Sequence, residues 1–155
     1  MASRTSIRSG HQVAALPLRL SEAGRPELLV VTSRETRRWI VPKGWPMKGL
    51  KDHKAAAIEA LEEAGVRGTM LRRAAGHYSY WRRTRTDFRL TDVVAYALKV
   101  ETVLAEWKER EQREARWANL LDAADLVADP ELSTLIVRLP LDAKVMKFLG
   151  WKMPG

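Results

Sequence analysis

The chain has 155 residues, 46% of them hydrophobic, with no cysteine and a formal net charge of +8. That length suffices for one domain with a real core, and the apolar runs are far too short to span a bilayer. The lack of cysteine excludes a disulfide framework, and the positive charge favours polyanionic partners: phosphorylated metabolites, nucleic acid or acidic lipid.

Residues 1–10 are polar and read as a frayed extension. Residues 12–20 (QVAALPLRL) predict a strand, with Pro17 pointing to an edge or a bulge. Residues 21–26 have turn composition, and the β-branched run 27–33 (ELLVVTS) predicts a second strand. A short turn at 34–36 leads to a third short strand, 39–41, ended by Pro42. Asp52 suits the N-cap of a helix, residues 54–64 are rich in Ala, Leu and Glu, and Gly65 suits its left-handed end. Residues 69–75 read as extended, 77–81 (HYSYW) as a strand, 82–89 (RRTRTDFR) as a basic loop or hairpin, and 91–100 (TDVVAYALKV) as a strand. The highly charged stretch 107–116 leads to Trp117. Residues 121–128 predict a short helix ended by Asp129-Pro130, and Pro130 suits the first position of another over 131–139. Residues 141–149 predict a last amphipathic helix, read as packed on the core in preference to a membrane surface. There is no repeat, low-complexity segment, linker or basic tail. This order supports one α/β or α+β domain over residues 1–155, with a core of about 11–139. No apolar leader follows Met1, so the expected location is the cytoplasm.

The helix holds the informative cluster. Glu59, Glu62 and Glu63 are spaced i, i+3, i+4 and project from one side, while Ala57, Ala60, Leu61 and Ala64 are expected to pack inward. Like charges so placed cost roughly 0.2–0.5 kcal/mol per pair even when solvated. A solvated acidic face is the usual meaning of such a cluster, and two features weigh against it. No lysine or arginine follows these glutamates at i+3 or i+4 except Arg67, which lies beyond Gly65. The preceding loop holds Gly44, Pro46 and Gly49, which suggest a fixed, unusual backbone. Hard oxygen ligands without cationic partners suit Mg²⁺ or Mn²⁺, which often bind together with substrate phosphates.

At these residues the sequence resembles the Nudix hydrolases, whose signature is G-x5-E-x7-R-E-U-x-E-E-x-G-U with U a bulky aliphatic residue. Gly44, Glu59, Glu62, Glu63, Gly65 and Val66 stand at the matching positions, with Ala60 small at the first U. Leu50 replaces the early Glu and Ile58 the Arg. The stretches VVTSRETRRWIVPKGWP and EWKEREQREARW look like the branch that includes diphosphoinositol polyphosphate and diadenosine polyphosphate phosphohydrolases, so the resemblance covers roughly residues 12–139. It implies a Nudix-type α/β/α sandwich with a central mixed sheet. It also implies a metal held by Glu59, Glu62 and Glu63, and phosphate contacts from Ser33-Arg34 and Lys43. Pro42-Lys43-Gly44 stands where eukaryotic members read Pro-Gly-Gly.

The residues support the same chemistry. Hydrolysing a phosphoanhydride needs neutralised phosphate oxygens and a positioned water. A divalent ion on the three glutamates would supply both, with Glu63 or Glu59 as proton acceptor. Ser33, Arg34, Lys43, Arg82, Arg85 and Arg89 are candidate phosphate ligands, although any one of these arginines is more often a solvated surface charge. His11, His53 and His77 lack ligand spacing, so no zinc site is expected. Trp45 and Tyr80 could stack on a base, but packing is the commoner role for each. Glu111 or Glu114 could add a carboxylate, although a solvated loop is the safer reading. Leu50 is expected to pack on Ile58 in place of the family's ion pair. The expected function is an Mg²⁺-dependent (or Mn²⁺-dependent) phosphoanhydride hydrolase of a polyphosphorylated small molecule, such as a dinucleoside polyphosphate, a diphosphoinositol polyphosphate or a nucleoside diphosphate derivative. Such a chain would act as a monomer or homodimer, with RNA a less favoured partner. The alternative is a catalytically disabled module that binds phosphorylated ligands or RNA.

Overall fold

In the computed structural model, which describes residues 10–152, the apolar runs become strands buried on both faces. The polar extension read at the N-terminus falls at residues 1–9, outside the described residues. The strands are β1 (Gln12–Leu20), β2 (Pro26–Thr32), β3 (Trp39–Ile40), β4 (Lys43–Gly44), β5 (Val66–Met70), β6 (Gly76–Arg83), β7 (Phe88–Val103) and β8 (Ala115–Asn119). The helices are α1 (Asp52–Ala64), α2 (Leu120–Leu126), α3 (Pro130–Arg138) and α4 (Ala143–Leu149).

The sheet runs β3-β2-β1-β7-β5, with β4 beside β1, β6 beside β7 and β8 beside β2. The β1–β7 pairing is parallel and the other strand pairings are antiparallel. Side chains alternate between two cores, as the two-residue period of a strand requires. Ala14, Leu16 and Leu18 of β1 meet α2, α3 and α4 through Ala123, Leu132, Ile136 and Met146. Val13 and Ala15 meet α1 through Ala56, Ala60 and Ala64. Helices thus cover both faces, which makes the α/β/α sandwich and explains why these strands read as continuous apolar runs. No helix of the described residues is long and apolar enough to cross a membrane.

Three local expectations are revised. Pro17 lies in a central strand, not at an edge. The Ala15 N–H donates to Pro42 O at 3.0 Å on the flank shared with β4 and β2, so the nitrogen two residues on points the same way. Pro17 has no ladder partner on that flank, and its missing N–H costs no hydrogen bond. The stretch read as extended over 69–75 is strand only to Met70: β5 starts earlier, at Val66 directly after Gly65, and residues 71–75 are irregular. The charged stretch before Trp117 closes into β8, which pairs with β2.

Candidate active site

The helix that carries the glutamates is set by its two ends. Lys51 occupies the N-cap position without a side-chain cap, and Asp52, expected there, is the first helical residue. The Asp52 carboxylate bonds the His11 ring nitrogen at 2.7 Å. Gly65 takes φ 67°, and its N–H donates to Leu61 O at 3.1 Å, closing the helix as expected. The Trp107 ring lies against Gly65 where any Cβ would collide with it, so this position needs glycine for space as well as for φ.

The inward face differs from the expected one. Ala56, Ala60 and Ala64 pack on the sheet, whereas Ala57 and Leu61 are half-buried. Small side chains let the helix approach the sheet closely, and that rotation takes Glu63 inward to 5% exposure. Glu63 Oε1 accepts the Lys43 N–H at 3.3 Å and lies 3.7 Å from Arg113 Nη2. Glu59 stands one turn earlier, close enough to the Glu63 carboxyl to raise it. Glu59 also lies against Gly44, where a Cβ would land on its carboxylate. Glu62 turns toward Lys108, with 3.6 Å between Oε1 and Nζ. As the side chains stand, no three His, Cys, Asp or Glu residues form a metal-holding group among the described residues.

Two neighbouring carboxylates repel unless they share a proton or gain a cation. Burial and the neighbouring Glu59 push the Glu63 carboxyl up to about 8, against the pull of Arg113 and Lys43. Burial likewise brings the Lys43 ammonium down to about 8, opposed by Glu63 and Asp129. Lys43 Nζ sits 4.8 Å from the Tyr80 ring centroid, and Tyr80 OH donates to Gln12 Oε1 at 2.7 Å.

Lys43 and Arg113 join this carboxylate pair to a cavity of about 840 Å³. Its walls also hold Ser33, Arg34, Arg38, Tyr80, Trp81, Arg83, Phe88 and Asp129. Five cationic residues there face two carboxylates, Glu35 and Asp129, and Asp129 is already paired with Arg38 at 2.7 Å. Ser33 Oγ bonds Thr36 Oγ1 at 2.7 Å and accepts the Arg38 N–H at 3.0 Å, which shapes the turn after β2. Arg34 reaches Gln112 Oε1 at 3.3 Å.

Ser33, Arg34 and Lys43 thus share one cavity, while Arg85 and Arg89 lie outside its lining. Arg85 is in the turn of the β6–β7 hairpin, and Arg89 pairs with Asp87 at 3.5 Å. Arg82 stands over the Trp45 ring, 5.3 Å from its centroid. Glu111 is exposed, and Glu114 is spent on Arg37 at 3.3 Å. Sequence reasoning missed Arg38, Arg83 and Arg113. The TRTD turn could have set the hairpin register that pairs Arg83 with Phe88. Nothing in the alternating charges of 107–116 marks Arg113 over its neighbours.

Leu50 is 38% exposed, and neither it nor Ile58 belongs to a core cluster, so the expected packing of one on the other would lie outside both cores.

Residues 10–139 match the NUDIX domain family. The chain is 32% identical over 122 residues to Nudix hydrolase 16, mitochondrial, of Arabidopsis thaliana, covering 76% of this chain and 67% of that one. It is 33% identical over 124 residues to diphosphoinositol polyphosphate phosphohydrolase 2 of Rattus norvegicus, covering 78% and 65%. Against other Arabidopsis relatives it spans about half their length. The fold also matches the crystal structure of a C. elegans Ap4A hydrolase binary complex, with TM-score 0.64 and 20% identity over 84% of this chain and 95% of that one.

Proposed function

The chain belongs to the Nudix family, and from that premise we propose that it hydrolyses a phosphoanhydride bond in a polyphosphorylated small molecule, with Mg²⁺ or Mn²⁺. The observation that carries this reading is the Glu59–Glu63 carboxylate pair, which lies outside the lining of the cation-rich cavity and is joined to it by Lys43 and Arg113, both of which reach Glu63 and line the cavity. The donor set fits a hard divalent ion: two neighbouring carboxylates, one of them pushed toward its protonated form by burial and by the other. The backbone at Gly44 leaves room beside Glu59, where a side chain would intrude. Glu59 and Glu63 would hold the ion with Glu62, which has only an exposed, weak pairing with Lys108 to give up. When bound, the ion supplies charge neutralisation at the phosphate oxygens and a more acidic water.

The chain's own residues do the remainder. Arg34, Arg83 and Arg113 present guanidinium groups to phosphate oxygens, and Lys43 adds a compact ammonium held against Tyr80. Arg113 Nη1 donates to Thr32 O at 3.0 Å and Nε to Glu109 Oε1 at 2.7 Å, which fixes the guanidinium beside Glu63. The carboxylate pair takes the proton of the attacking water, the new P–O bond forms at phosphorus, and the bridging P–O bond breaks to release the second phosphate.

The test is product release from diadenosine polyphosphates, diphosphoinositol polyphosphates, nucleoside diphosphate derivatives and nucleoside triphosphates with Mg²⁺ or Mn²⁺. Glu63→Gln is expected to lower turnover by several hundredfold while changing substrate binding little. Full activity in EDTA, or wild-type turnover in both Glu62→Gln and Glu63→Gln, overturns the reading. Tight binding without hydrolysis would return the chain to a non-catalytic module.

A further inference from the structure

Asp129 occupies the N-cap position of α3, where an aspartate ordinarily accepts an amide of the first helical turn. It makes no such cap. Its carboxylate is spent on Arg38 instead, 2.7 Å from Nη2, and lines the cation-rich cavity. The residue is 4% exposed, whereas Glu35, the other carboxylate of the lining, is open to solvent. The backbone on either side is fixed: the Ala128 N–H donates to Trp39 O at 3.1 Å, and Asp129 O accepts the Ser133 N–H at 3.0 Å. Among the lining cations, Arg38 is thus paired with Asp129, and Arg113 with Glu109 at 2.7 Å. Arg34, Lys43 and Arg83 line the cavity without an ion pair among the described residues.

We propose that Asp129 is a specificity-determining residue: it cancels Arg38 and denies one wall of the cavity to phosphate, so that the site selects a linear phosphate chain against a ring phosphorylated all round. This rests on the phosphoanhydride reading of the same cavity. Size does not make the choice, because a volume of about 840 Å³ lies high in the range of small-molecule sites, roughly 300–1,000 Å³. Charge does. A phosphate brought against a nearly buried carboxylate is repelled across a medium that screens poorly. A linear chain can engage Arg34, Lys43 and Arg83 and leave that wall alone, whereas a ring with phosphates on every side turns one toward Asp129. The unmade cap supports the same reading. A carboxylate that served α3 alone would bond its amides, and this one is committed to a cation of the cavity.

The experiment is isothermal titration calorimetry in EDTA, which reads binding without turnover, on the full chain and on Asp129→Asn and Asp129→Ser. The probes are inorganic tripolyphosphate and myo-inositol hexakisphosphate. Serine removes the charge and supplies a helix cap, which keeps the fold if asparagine does not. The wild type is expected to bind tripolyphosphate more tightly than the hexakisphosphate. Both variants are expected to gain about tenfold in affinity for the hexakisphosphate and about twofold for tripolyphosphate, a difference that shrinks with added salt. Gain is the signature, because loss of a merely structural carboxylate would weaken binding. Unchanged or weaker hexakisphosphate binding in the variants overturns the proposal, as does an equal gain for both probes. A wild type that prefers the ring, or that binds neither probe, overturns it as well. Product release from diadenosine tetraphosphate with Mg²⁺ is followed in parallel. A selective gain without hydrolysis would keep the role of Asp129 while the catalytic reading fails, and hydrolysis without a selective gain would do the reverse.

Discussion

A methyl group at Gly44 would land on the Glu59 carboxylate. Gly44→Ala is therefore expected to push Glu59 off Glu63 and to lower both turnover and Mg²⁺ affinity, with the fold retained; a metal titration and a circular-dichroism spectrum check both parts. Glu63 makes a prediction of opposite sign to that of an ordinary salt-bridged carboxylate. Its folded pKa is raised to about 8, so between pH ~4.5 and ~8 the folded state binds more protons than the unfolded state. Metal-free stability should be greatest at the acid end of that window and fall as pH rises through it. Thermal melts in EDTA at pH 5, 6.5 and 8 should show the decline, and Glu63→Gln should flatten it. Leu50, exposed and outside the cores, predicts little: Leu50→Glu should change stability by no more than about 0.5 kcal/mol in urea denaturation. The resemblance marked Leu50 and Ile58 as a linked substitution. Whether such a pair is buried depends on how the loop crosses the helix, which no local spacing encodes.

At the scale of elements, the segment between β7 and β8 holds the end of α1 in place. Leu104 N–H donates to Gly65 O at 2.8 Å, and Glu109 N–H to Glu62 O at 3.0 Å. Arg113 ties the same segment to Glu63, Glu109 and Thr32. Arg113→Met would leave the nearly buried Glu109 carboxylate without its cation and remove the charge that draws Glu63 toward ionisation, and breaking one side of such a buried pair costs about 3–5 kcal/mol. Urea denaturation at pH 7 measures the loss, and Arg113→Lys should recover only part of it, because an ammonium cannot reach three acceptors in a fork. This segment was the least legible part of the chain. Its charges alternate as they would in a solvated loop, and the five-residue β8 exists because β2 supplies its hydrogen bonds. The helices were easier. The Asp129-Pro130 break falls where α2 gives way to α3, with Pro130 in the first helical position.

At the scale of the whole molecule, the charge of +8 is gathered in part at the cavity, where Arg34, Arg38, Lys43, Arg83 and Arg113 meet. Longer phosphate chains should be preferred, and the preference should shrink with added salt, since ionic strength of 0.1 M screens exposed charges beyond about 10 Å. Steady-state kinetics on tri- and tetraphosphates from 50 to 300 mM salt provide the measurement, with ranges set by that screening length. A salt-independent preference for a phosphate monoester would contradict it.

Local chemistry in the sequence was enough to determine the strand runs, the glutamate helix with its left-handed end at Gly65, and the family to which both belong. Those features depend on neighbours within a few residues: β-branching, i to i+4 spacing and a glycine where φ is positive. The tertiary structure alone decided that Glu63 is buried and Glu62 is not, because three alanines set how the helix rolls on the sheet. It also decided which cations reach the site. Arg113 lies 50 residues from Glu63 in sequence, and Arg83 enters the cavity because its hairpin projects beyond β1. Burial and charge pairing depend on distance in space, and chain separation says nothing about that until the sheet has been assembled.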